Sequence, residues 1–112
     1  MVAHSRFPTR IAALANAVVL VGGTAELQAT AENAALSASG GHLLRTEVAP
    51  SATVCAEVRP YAIILPNDVY EFGGAEFDAL ARDLDAGLVV VPSTIQLGVL
   101  AAMLAEEALR LG

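Results

Sequence analysis

The side chains that could do chemistry in this chain are few and far apart. There is one cysteine, Cys55, and there are two histidines, His4 and His42. A thiol nucleophile needs a base within hydrogen-bond reach, and nothing in the sequence places His42 beside Cys55. A metal site needs three or four converging donors, so each histidine reads as an isolated surface or strand residue and Cys55 as a small buried hydrophobe. Acids gather between Asp68 and Glu76, yet without the alternating spacing of a calcium loop they read as a solvated connection. Gly22-Gly23-Thr24 is the remaining candidate, because backbone N–H groups at the start of a helix can cradle an anion. The third glycine of a dinucleotide fingerprint is missing, which favours a tight turn there. No cluster of acid, base and nucleophile emerges, and neither cofactor nor metal is implied. The chain reads as a binding protein, not an enzyme.

The elements that must position these residues follow from apolar periodicity. Val18-Val19-Leu20-Val21 is an unbroken apolar run, the mark of a strand buried on both faces, and it stops at Gly22-Gly23. Leu27, Ala31, Ala34, Ala35 and Ala38 recur at helical spacing behind Thr24, a suitable N-cap, and Gly40-Gly41 ends that helix. His42 to Val48 alternates like an outer strand. Pro50-Ser51 opens a short helix through Val58, which Arg59-Pro60 terminates. Ala62-Ile63-Ile64-Leu65 is a second buried run, followed by a loop from Pro66 to Gly74. A third helix turns Phe77, Leu80, Ala81 and Leu84 inward, pairs Asp78 with Arg82 one turn on, and stops at Gly87. Leu88 to Val91 is a fourth strand, closed by Pro92-Ser93, and Ile95 to Leu111 makes a last helix. Strand and helix alternating four times predicts an α/β fold, a doubly wound parallel sheet of about four strands with right-handed crossovers. Residues 1–16 read as an N-terminal extension and 17–112 as the domain.

Composition narrows the partners. With 112 residues, 55% of them hydrophobic, the chain suits one packed domain. No apolar stretch approaches the roughly 18 to 20 residues that span a bilayer. The first fifteen residues, with Arg6, Pro8 and Arg10, make a poor signal-peptide core, so the expectation is a cytoplasmic protein. The net charge is −6, lysine is absent and six arginines are scattered. No basic face is available to neutralise phosphates, which argues against nucleic acid and anionic membrane as partners.

Several local matches then add up. The segment Arg59-Pro60-Tyr61-Ala62-Ile63-Ile64-Leu65-Pro66 resembles the third-strand entry of the receiver domains of bacterial response regulators, the chemotaxis-receiver fold. In that family Arg-Pro-Asp leads into an apolar run ending at the phosphorylated aspartate. Gly74, Glu76 and Phe77 match the family's glycine and the start of its third helix. The resemblance covers roughly residues 17 to 95. It implies that Pro66 stands at the acceptor position, Gly22 and Gly23 at the acidic pair that binds magnesium, and Ser93 at the switch hydroxyl. The fifth strand and helix are lacking, and with them the family's lysine. Phosphoryl transfer to a carboxylate needs an acceptor oxygen, oxygen ligands for a divalent cation and a cation for the developing charge. All three requirements fail, so the resemblance implies a degenerate, truncated pseudo-receiver.

The function expected is therefore a non-phosphorylatable interaction or scaffold module in bacterial signalling, with an unidentified signalling protein as partner. Tyr61, Tyr70 and Phe72 flank the third strand, and exposed aromatics anchor interfaces. In the last helix Leu97, Leu100, Ala101, Leu104, Ala108 and Leu111 make a stripe for the sheet, while Ile95, Val99, Ala102 and Met103 leave its other sides apolar as well. Without a fifth strand, the Leu88–Val91 edge, with Leu88 and Val90, would lie open. A homodimer about a two-fold axis would cover it. The alternative is a small-ligand or phosphate-binding domain using Gly22, Gly23, Thr24 and Ser93 at neighbouring strand ends.

Overall fold

The computed structural model describes residues 16–111. Four strands and four helices alternate: β1 (Val18–Val21), α1 (Ala25–Ser39), β2 (Leu43–Thr46), α2 (Ser51–Val58), β3 (Ala62–Pro66), α3 (Asn67–Leu84), β4 (Gly87–Val91) and α4 (Leu97–Leu111). The sheet is wholly parallel in the order β2-β1-β3-β4, the doubly wound α/β architecture. β1 and β3 lie at its centre, paired Val18 to Ala62, Val19 to Ile63 and Leu20 to Ile64. Every residue of both central strands is buried, which is why each reads as an unbroken apolar run. Burying a side chain such as Ile63, Ile64 or Leu65 contributes about 1.5–3 kcal/mol.

Alternate strand residues feed two separate cores. Val18, Leu20, Ala62, Ile64, Val89 and Val91 face α1 and α4, where they meet Leu27, Ala31, Leu100 and Leu104. Val19, Val21, Ile63 and Leu65 face α2 and α3, where they meet Cys55, Phe77 and Ala81. Among the described residues, no helix is long and apolar enough to cross a membrane.

Helix ends follow the chemistry of their residues. Thr24 caps α1 by accepting the Leu27 N–H on its Oγ1 at 3.1 Å. Gly40 closes the helix in the left-handed conformation, with φ +67°. The expected loop from Pro66 to Gly74 is instead helix, because Pro66 is extended and Asn67 already begins α3. Asp68 favours that start, sitting in the first turn, where its Oδ1 accepts the Val69 N–H at 3.0 Å. The glycine pair that reads as a break only kinks the helix, with Gly73 at φ −142° and ψ 33°.

Candidate functional site

The chain runs outward from β1 to β2 and then returns to β3, so the connections leaving β1 and β3 diverge to opposite faces of the sheet. Open α/β sheets bind ligands in the crevice at such a switch point. Here a cavity of about 200 Å³ occupies it, lined by Gly23, Thr24, Leu27, Pro66, Asp68 and Ser93. Three of the four positions that the receiver resemblance singles out, Gly23, Pro66 and Ser93, thus come together. Gly22 lies beside them, hydrogen-bonded through its N–H to the Thr46 carbonyl at 2.8 Å.

Each lining residue is set by its element. Gly22 and Gly23 turn the chain from β1 into α1 with φ of +72° and +86°, a conformation that L side chains rarely adopt. A Cβ on Gly23 would also press to 3.1 Å on the Leu27 side chain. The Gly23 carbonyl accepts from Arg45 Nη2 at 3.3 Å, which ties the turn to β2. Pro66 ends β3 fully buried and offers no side-chain cap to α3. Among the described residues, Asp68 is the one carboxylate lining the crevice. Two hydroxyls, one carboxylate and the N–H groups of two helix starts can hold a small polar group, but they do not make a nucleophile and base pair. Among the described residues, no group of three or more His, Cys, Asp or Glu is placed to hold a metal ion.

The other candidates fall elsewhere. Cys55, on the inner side of α2, is completely buried, and burial pushes its thiol up to about 11. His42 is exposed just before β2, and His4 lies outside the described residues. Tyr61 is a core residue rather than a surface anchor, and its hydroxyl lies 2.9 Å from Ser39 Oγ. Burial raises its pKa, and the bond to Ser39 partly offsets the rise. Half-buried Tyr70 donates to the Asp78 carboxylate at 3.1 Å, so Asp78 serves the kink of α3 instead of pairing with Arg82. That hydrogen bond, with the charge of Asp78, raises the tyrosine's pKa. Phe72 is 91% exposed.

The interface candidates divide. Leu88 and Val90 are half-buried on the outermost strand. On α4, Val99 is 50% exposed and Ala102 is exposed, whereas Met103, and Ile95 just before the helix, are half-buried against the α1 side of the core. Leu109, 79% exposed, shares the outward face of Val99 and Ala102 at helical spacing and was not singled out by the sequence. Leu97 is 45% exposed, because it opens the helix beyond the sheet end. A second groove, of about 260 Å³ between the start of α2 and the middle of α3, also escaped the sequence reading. Its two walls come from segments 20 or more positions apart, and no local pattern joins them.

The fold and the crevice define an α/β domain with a doubly wound, all-parallel sheet. Compared with protein-family models, with curated proteins and with solved structures, the chain matches none.

Proposed function

We propose that this domain is a receiver-like module without phosphoryl chemistry that acts through protein–protein contacts in signalling and self-associates through β4 and α4. The observation that carries the reading is the outward face of α4, where Val99, Ala102 and Leu109 stand exposed beside an edge strand, Gly-Leu-Val-Val-Val, that has no charge to protect it. Natural edge strands are usually blunted by charge, proline or a covering element. Of the outward α4 residues between Val99 and Leu109, Glu106 alone is charged, so two copies can meet there with one like-charge contact to accommodate.

Sedimentation of the full chain at tens of micromolar tests this. The wild type should sediment as a dimer, and Val99→Glu with Leu109→Glu should give a folded monomer, since both side chains are outside the core. A monomeric wild type overturns the self-association. Met103 is unsuitable for this purpose, because a charge there would enter the core. Incubation with acetyl phosphate and magnesium should leave the protein's mass unchanged, and an added phosphoryl group would overturn the non-phosphorylatable reading.

The crevice supports a second reading, a small-ligand or phosphate site at Gly23, Thr24 and Ser93. A rise of several degrees in melting temperature with inorganic phosphate or a nucleotide would favour it over the first.

A further inference from the structure

We propose that the groove between α2 and α3 docks a positively charged segment of another polypeptide, anchored by one aromatic or aliphatic side chain. The floor and walls include Val48, Ala52, Phe77 and Leu80, with Phe72 and Glu76 at the rim. Its 260 Å³ falls below the roughly 300–1,000 Å³ of small-molecule sites, which suits a single large side chain better than a cofactor. Phe72 projects almost wholly into solvent at the kink of α3, and aromatic residues beside a pocket are what interfaces use as anchors.

Charge selects the occupant. Among the described residues that line the groove, exposed Glu76 is the charged one and none is basic. Glu47, next to Val48, is already paired with Arg45, so Glu76 supplies the negative charge at the rim. Complementary charge steers association and rejects like-charged partners. A second copy is a poor occupant. The exposed face of its α4 carries Glu106 as well as Arg110, so it brings no net positive charge to Glu76.

Panning a random peptide library on the immobilised full chain tests the proposal. The recovered peptides should carry net positive charge around a Phe, Trp, Leu or Met anchor. Their affinity should fall about tenfold for Phe72→Ser and severalfold for Glu76→Arg, the second loss shrinking as salt rises. Both substitutions are at exposed positions, so a native circular dichroism spectrum should accompany each. Backbone amide shifts on peptide addition should concentrate in Val48–Ala52 and Phe72–Leu80. Recovery of no peptides, of neutral or acidic ones, or of peptides that bind both variants as well as the wild type overturns the proposal.

Discussion

Replacing Gly87 with alanine asks how α4 is fastened to the edge of the sheet. A Cβ built at Gly87 would lie 2.6 Å from Cγ of Glu107 and closer still to its carboxylate. The obstacle is a flexible side chain, so Glu107 must swing away and give up Arg110, whose Nε donates to Oε1 at 2.9 Å. Displacing Glu107 into a poorer rotamer costs about 0.5–1.5 kcal/mol. Losing a partly exposed pair one turn apart costs about 0.3–0.5 kcal/mol. Against these, alanine in place of a strand glycine with ordinary φ gains about 0.5–1 kcal/mol. Taken at the middle of these ranges, the single substitution should therefore destabilise by about 0.7 kcal/mol. In a Glu107→Ala background both penalties vanish, and the same substitution should stabilise by about 0.5–1 kcal/mol. Urea melts of the four proteins at one fixed concentration read this reversal of sign, with self-association held constant. If Gly87→Ala has the same effect in both backgrounds, within about 0.5 kcal/mol, Glu107 does not pack over β4 and the reasoning fails.

Gly41→Ala should be the costlier glycine substitution, about 2–3 kcal/mol in the same assay, because the new Cβ would fall on the backbone carbonyl oxygen of Asn16, which no rotamer change can move. Tyr61→Phe should cost only about 0.5 kcal/mol, since Ser39 keeps its bond to the Ala35 carbonyl at 3.2 Å; a loss above about 2 kcal/mol would contradict that account. Cys55, held near 11 when folded, becomes a thiolate first in the unfolded chain, so its contribution is complete below the ordinary thiol pKa and is lost as pH rises towards 11. Stability should fall by at most about 1.4 kcal/mol per pH unit in that window, and Cys55→Ala should flatten the slope. A pH profile identical in the variant would refute the assignment.

The legible parts of this fold are those where one short stretch decides the outcome. The run Val18–Val21, the cap at Thr24 and the glycine stop at Gly40 each act within a few residues, and each stands where periodicity and capping chemistry put it. The first half of α3 reads as a loop because Pro66, Asn67 and Gly73-Gly74 are all turn formers in isolation. Pro66 instead ends β3 and leads directly into the helix, and Gly73 kinks a helix whose far side is anchored by Phe77 and Ala81. Tertiary packing overrides local preference there. The crevice was partly legible, since Gly23, Pro66 and Ser93 are strand-end residues and parallel strands bring their carboxyl ends together. The groove was not, because it depends on how far α2 and α3 stand apart.

The open edge of the sheet follows from where α4 lies. A right-handed crossover from β4 to a strand beside it would run along the face of α3, as α3 itself does between β3 and β4. α4 lies instead on the opposite face, against α1, and so it cannot serve as that crossover. The outer backbone row of β4 is left unpaired among the described residues, with the apolar face of α4 alongside it. On the far face, α2 has only 8 residues beside the 18 of kinked α3, and the mismatch opens the groove at Phe72. The sheet separates the two surfaces, and its central strands β1 and β3 are wholly buried and carry no ionisable side chain. Val99→Glu should therefore abolish self-association while changing the affinity of a groove-binding peptide by less than about twofold, the additivity expected of sites without shared partners. A larger change would mean that assembly and docking are coupled, and that the surfaces are not independent.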